Sequence, residues 1–390
     1  MSYKHREFDI PLQSFFIFGP RGTGKSTWLA HHFANAYTIN LLLDKNYLFF
    51  KTDPDRLISI VKNEFPKYRT FIIDEIQKVP RLLDVIHYLI DTYAGIQFIM
   101  TGSSSRKLKR EGVDLLAGRA VVRHFFPYLA SEQGRMFDLE QSLKLGQLPI
   151  VRESLDPQDV LDAYLAVYLK EEVLQEGLVR QIESYSRFLE AISFSHGSVL
   201  NMSNIARECN VTVKTVSHYI SILEDLLLGF QVPVFTKKAK RVLSVLPKFY
   251  YFDCGVFRSI RPKGLLDNIH ASEIDGLALE GLVAQHLRHW VLATRPKHAL
   301  FFWRTKAGSE VDFVVYGTDE FLAIEVKASK TIHPSDIRHL KTFQQDYPQS
   351  KALLIYCGSH IQEIDGISCI PASSFLKHIV PNTALNPISN

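Results

Sequence analysis

An α/β protein of several domains is what this sequence predicts, and three observations predict it. A short apolar run, Phe15–Phe18, leads into a glycine-rich loop and then a helical stretch. A second apolar strand, Thr70–Ile73, ends in the carboxylate pair Asp74-Glu75. Far downstream, strand-like runs carry Asp312, Glu325 and Lys327 among apolar residues. The chain has 390 residues, enough for two or three domains. Its hydrophobic fraction of 46% argues against wholesale disorder. A net charge of +4 permits nucleic-acid binding without arguing for it, so a local basic patch must carry that case. Cys209, Cys254, Cys357 and Cys369 form no C-x-x-C pair, which leaves a zinc site or disulfide framework unsupported and suits a reducing, cytoplasmic setting. Neither an apolar signal core at the start nor a long uncharged apolar run is present, so no membrane span is expected.

The first strand feeds Gly19-Pro20-Arg21-Gly22-Thr23-Gly24-Lys25-Ser26, which fits G-x-x-x-x-G-K-[ST] at every fixed position. A helix is expected from Thr27. Glycines allow backbone N–H groups to surround phosphates, and the helix N-terminus adds partial positive charge. Lys25 is expected to reach the β- and γ-phosphates and Ser26 to ligate Mg²⁺, so Gly19 through Thr27 form the candidate nucleotide site. Tyr37–Leu41 reads as a second strand, Pro54–Glu64 as a helix, and Thr70–Glu75 as the strand that completes the site. Asp74 there can hold the Mg²⁺ shell, and Glu75 can orient or deprotonate the attacking water. ATP is expected rather than GTP, because no N-K-x-D base-reading motif is present. Ile96–Met100 is a further strand. Thr101, Ser103 or Ser104 at its end could sense the γ-phosphate, or could simply turn the chain and cap a helix. A basic helical stretch, Arg106–Arg110, and a strand, Ala120–Phe126, follow.

FIIDEIQKV, IMTGSSS and LLAGR-AVVRHFFPYLASE resemble the AAA+ superfamily. They are most similar to prokaryotic ATPases in which such a module precedes a domain long labelled as of unknown function. The resemblance implies a parallel sheet of order 5-1-4-3-2. It also implies an arginine finger at Arg119, acting on a neighbouring subunit of a homo-oligomer. A solvated or DNA-facing Arg119 is the other reading, and Arg106 is the second candidate finger.

The helix-periodic stretch Leu161–Leu178 and a helix over Ser184–Ser193 read as a packing connector. Leu200–Leu223 has a helix-turn-helix pattern: Ser203 as first cap, Asn210-Val211 as turn, and Thr212 as cap of a helix exposing Lys214, Thr215, Ser217 and His218. Phe235–Lys248 is an extended basic segment, readable as a wing, with Lys237, Lys238, Lys240 and Arg241 its densest charge. These features suit duplex DNA through phosphates, or a winged helix that makes only protein contacts. Tyr250–Gly255 is taken as a domain boundary.

Glu273–Trp290 reads as a long helix, and Leu300–Arg304, Glu310–Val315 and Phe321–Lys327 as strands. This order resembles the PD-(D/E)xK nuclease fold, a restriction-endonuclease-like α/β domain. The resemblance places Glu280 on the helix, Asp312 on one strand, and Glu325 and Lys327 on the next. It implies that Asp312 and Glu325 hold Mg²⁺ or Mn²⁺ while Lys327 positions or activates water, with Glu280 a further carboxylate. Glu310-Val311 stands before Asp312 where a proline is common. A nuclease-like fold without activity is the alternative. The expected order is an ATPase domain over 1–135, a helical connector over 136–195, a winged helix over 196–255 and a nuclease-like domain over 256–390.

Overall fold

Five strands build the first sheet: β1 Ser14–Phe18, β2 Tyr37–Asn40, β3 Thr70–Asp74, β4 Gln97–Gly102 and β5 Ala120–His124. Their order is β2-β3-β4-β1-β5 and every pairing is parallel, which is the order the resemblance implied. Helices α1 Lys25–His32, α2 Asp44–Thr52, α3 Arg56–Glu64 and α4 Leu82–Thr92 belong to the same unit. The computed structural model describes residues 3–103, 108, 116, 118–165, 182–236, 246–261, 271–294 and 297–385. The chain divides into two units, Met1–Phe126 with Asp225–Leu227, and Pro127–Glu224 with Leu228–Asn390.

Period-two alternation explains why the sheet strands are apolar throughout. Phe16, Phe18, Phe71, Ile73, Phe98 and Met100 pack on one face with Leu57 and Val61 of α3 and Leu82, Ile86 and Leu89 of α4. Phe15, Ile17, Ile72 and Ile99 pack on the other face with Trp28 and Leu29 of α1 and with Phe125. A parallel sheet covered on both sides has no polar face to present. Each fully buried Phe contributes roughly 1.5–3 kcal/mol. Helix α1 begins at Lys25 rather than Thr27, so Lys25 and Ser26 stand in its first turn.

In the second unit a helix over Ile182–Ser193 precedes β6 Ser198–Val199 and the helices Met202–Glu208 and Val213–Asp225. Strands β7 Gly229–Val232 and β8 Lys248–Tyr251 complete an antiparallel sheet of order β6-β8-β7. Asn201, not Ser203, caps the first of the paired helices: its side chain accepts from Asn204 N at 3.1 Å. Thr212 caps the second through Thr215 N at 3.1 Å, and Asn210 adopts φ 53° in the turn. Lys214, Ser217 and His218 are exposed. Lys237, Lys238, Lys240 and Arg241 lie outside the described residues, as do Ser104, Ser105, Arg106 and the stretch 166–181.

The third sheet has six strands: β9 His298–Arg304, β10 Glu310–Gly317, β11 Phe321–Lys327, β12 Lys351–Tyr356, β13 Gln362–Ile364 and β14 Ile367–Pro371. Their order is β13-β14-β12-β11-β10-β9. Strands β9, β10 and β11 are antiparallel neighbours, whereas β11, β12 and β14 run parallel. The long helix extends over Ala271–Ala293.

The stretch Tyr250–Gly255 is packed inside the second unit. Tyr250, Tyr251, Phe252, Asp253 and Cys254 are all buried, at most 2% exposed. Asp253 caps the helix Cys254–Ile260, with Oδ1 accepting from Gly255 N at 2.9 Å and Val256 N at 3.1 Å. Its Oδ2 accepts from Gln147 N at 2.6 Å. Gly146 adopts φ 73° against this carboxylate, and a Cβ there would overlap it.

Candidate functional site

The first site forms where β1, β3 and β4 end on one edge of their sheet. Register sets Phe18 beside Gly102 and Ile73 beside Met100, so Asp74 and Thr101 follow at one level. Gly22 and Gly24 adopt φ 76° and 89°, values that side-chain-bearing residues rarely reach. Gly19 lies so close to the Phe125 carbonyl oxygen that a Cβ would overlap it. The loop is tied within itself: Thr23 Oγ1 donates to Pro20 O at 2.8 Å. Arg6, only 5% exposed, donates to Thr23 O at 2.8 Å and to Phe126 O at 2.6 Å, and its guanidinium lies 4.2 Å from the Phe125 ring centre. Lys25 Nζ donates to Gly19 O at 2.5 Å and Pro20 O at 3.1 Å. Its ammonium thus sits over the loop's own carbonyls.

At the ends of β3 and β4, Thr101 Oγ1 donates to Asp74 Oδ1 and accepts from Glu75 N at 3.2 Å. Thr101 therefore orders both carboxylate-bearing residues. Glu75 adopts φ 62°, a strained backbone for a non-glycine residue. Its Oε2 accepts from Gln77 Nε2 at 2.6 Å, and the same amide reaches Ser103 Oγ at 3.4 Å. Ser26 and Asp74 both line a cleft of about 330 Å³ beside α1. An ammonium, a hydroxyl, two carboxylates and glycine turns at one sheet edge fit a magnesium-bound nucleoside triphosphate. Arg119 stands just before β5 with its guanidinium clasped by Asp91: Nε to Oδ1 is 2.8 Å and Nη2 to Oδ2 is 2.9 Å. Gln77 and Arg6 escape a motif scan because neither is a fixed position of the loop pattern.

The second cluster lies in the second unit. Asp312 sits where the β9–β10 register shifts between Val311 and Val314, a bulge of the kind that re-aims side chains. Its Oδ2 accepts from Val326 N at 2.9 Å. Glu325, 4% exposed, accepts from Lys327 Nζ at 2.7 Å through Oε1, while Oε2 has no partner among the described residues. Glu280 Oε1 accepts from Tyr250 Oη at 2.6 Å. The four residues of the nuclease-like pattern therefore share one neighbourhood.

A fifth residue stands among them. Lys248 Nζ is 2.7 Å from Glu310 Oε1, 3.2 Å from Glu280 Oε1 and 3.3 Å from Asp312 Oδ1. Its side chain is 2% exposed, so the wing assignment of Lys248 is corrected: its charge faces carboxylates, not phosphates. Burial would lower the Lys248 pKa, but Tyr250 and the three carboxylates raise it well above the ordinary lysine value. Burial, together with Asp312, pushes the carboxyls of Glu280 and Glu325 upward. This donor set does not fit the expected divalent ion as it stands, because an ammonium already lies among three of the carboxylates. Lys248, Tyr250 and Glu310 were missing from the sequence-derived site. The one available signal was a lysine opening the otherwise apolar run Phe249–Phe252.

Residues 13–133, nearly the whole of the first unit, match the family model of an AAA domain. Residues 136–266 match a domain of unknown function (DUF8612), and residues 275–375 match another (DUF4143). An uncharacterized protein of Mycobacterium tuberculosis is 26% identical over 311 residues, 78% of this chain and 68% of its own. An uncharacterized protein of Methanocaldococcus jannaschii is 23% identical over 349 residues, 80% of this chain and 74% of its own. Domain III of the Thermotoga maritima replication initiation protein DnaA is 17% identical, with 42% of this chain and 78% of that one covered. Its TM-score is 0.23, too low to speak to function. Among the described residues, no helix is long and apolar enough to cross a membrane.

Proposed function

We propose that this protein is an ATP-hydrolysing nucleotide switch that acts on DNA, with a nuclease-like C-terminal sheet that does not cut. The observation that carries the ATPase reading is the convergence of Lys25, Ser26, Asp74 and Glu75 at one edge of a parallel sheet of order β2-β3-β4-β1-β5. ATP with Mg²⁺ supplies the transferable phosphoryl group and part of the charge that neutralises it. Lys25 is the loop's cation toward the β- and γ-phosphates, and to serve there it gives up the Gly19 and Pro20 carbonyls. Ser26 and Asp74 would hold the metal through their oxygens. Glu75 orients the attacking water once it leaves the Gln77 amide.

Arg119 is the candidate finger for a neighbouring copy, and it must leave Asp91 to act. Mixing Arg119→Ala with Lys25→Ala subunits is expected to restore part of the hydrolysis that each lacks alone. A protein that hydrolyses ATP at full rate while remaining a monomer by light scattering excludes the trans role.

The helix-turn-helix and the basic segment after β7 support DNA as partner. Replacing Lys237, Lys238, Lys240 and Arg241 by alanine is expected to weaken duplex binding. It should also flatten the dependence of log K on log salt by roughly one per lost phosphate contact. Fluorescence anisotropy across a salt series measures both. An unchanged affinity and slope would move this segment to protein contacts.

A further inference from the structure

The second unit carries a cation of its own among its carboxylates. We propose that Lys248 Nζ is the resident cation of the centre formed by Glu280, Glu310 and Asp312, so that the centre is compensated without metal and admits a divalent ion only when this ammonium is removed. The inference deepens the non-cutting reading of this unit and is independent of the ATPase reading. Three observations carry it. An ammonium has three N–H donors, and Lys248 has three carboxylate partners at 2.7, 3.2 and 3.3 Å. No donor then remains for a substrate phosphate. The side chain is 2% exposed and reaches the centre from β8, next to Tyr250, which lies two residues on and so on the same strand face and donates to Glu280 Oε1. Finally, Glu280 and Asp312, two of the carboxylates that the nuclease resemblance assigns, are both turned to Lys248, while Glu325 is held by Lys327.

Space and charge exclude sharing. A divalent ion binds carboxylate oxygen at roughly 2.0–2.6 Å. On these oxygens it would overlap the ammonium and be repelled by it. Removal of the lysine would leave Glu280, Glu310 and Asp312 around one vacated position with no counter-charge, which Mg²⁺ or Mn²⁺ would then supply. The lysine also ties β8, the helix Ala271–Ala293 and β10 together through buried charge.

The test is titration of MnCl2 into the nucleotide-free full chain, followed by calorimetry and by thermal unfolding. Wild type is compared with Asp312→Asn, Lys248→Met and the Lys248→Met/Asp312→Asn double variant. Wild type is expected to show no Mn²⁺ uptake beyond that of Asp312→Asn. Lys248→Met is expected to take up one further equivalent, to lose it in the double variant, and to gain about 5 °C in Tm with saturating Mn²⁺. Asp312-dependent uptake by wild type overturns the proposal, as does a folded Lys248→Met that binds no Mn²⁺. Should Lys248→Met not fold, the wild-type comparison decides alone. Plasmid nicking separates the two readings. Metal-dependent nicking by wild type that Asp312→Asn abolishes defeats the non-cutting reading, whereas Asp312-dependent uptake without nicking defeats only the role of Lys248.

Discussion

Lys25→Ala is expected to abolish ATP turnover, lowering kcat by about 10³-fold or more, since a preorganised charge at the transferring group is removed. The loop should survive the loss of the Lys25 bonds to Gly19 O and Pro20 O, because Gly22, Gly24, the Thr23–Pro20 bond and the Arg6 clasp also hold its shape. Glu75→Gln should behave differently. It keeps the size and hydrogen-bonding capacity of the side chain but not its basicity. ATP binding is then retained while hydrolysis falls by about 10²–10⁴-fold, the range typical for losing a general base. The measurements are steady-state phosphate release and equilibrium binding of a fluorescent ATP analogue, made on both variants. Normal turnover by Glu75→Gln would remove Glu75 from the catalytic role. Normal turnover by Lys25→Ala would overturn the nucleotide site as a whole.

Asp253→Ala is expected to cost the second unit about 3 kcal/mol or more. Three backbone N–H groups, of Gln147, Gly255 and Val256, lose their acceptor in a buried place, at about 1–3 kcal/mol each. An opposing term reduces the sum: burial pushes the Asp253 carboxyl up to about 6, against an ordinary 3.8, so its ionised form is itself held at a cost. The pH dependence follows from that sign. A pKa raised on folding adds stability that is fully present below the unfolded value and fades as pH rises through about 6. Wild type should therefore gain stability from this group as pH falls from above 6 toward 4, and Asp253→Ala should lack that gain. Urea unfolding at pH 5 and pH 8, followed by the fluorescence of Trp290 and Trp303, measures both effects. A loss below about 1 kcal/mol would reduce Asp253 to an ordinary helix cap.

Much of the first unit was legible in the chain because its signals are local. The strand, loop and helix of the nucleotide site are contiguous, and the alternation of Phe15–Phe18 and Phe71–Ile73 across two buried faces depends only on strand geometry. The Asp74-Glu75 pair could be placed at that edge because a parallel strand delivers its last residues to the same edge as the loop. The two helices joined at the Asn210 turn were legible for the same reason, although the first cap fell on Asn201 instead of Ser203.

Tertiary structure alone decided what surrounds those residues. Gln77 and Thr101 take hold of Glu75 and Asp74 through bonds that no motif encodes. Lys248 read as part of a basic wing when judged by its neighbours in the chain. Its partners Glu280 and Asp312 are 32 and 64 residues away, and only the closing of β8 against β10 and the long helix changes a surface cation into a buried one. Nothing local in the chain ties Asp253 to Gln147, 106 residues earlier, yet its carboxylate accepts from the Gln147 N–H. Sequence by itself determined which chemical groups are present and which strand or helix carries each. The fold decided which charges meet in a low-dielectric interior, where a nearby ammonium and a desolvated carboxylate set each other's charge state.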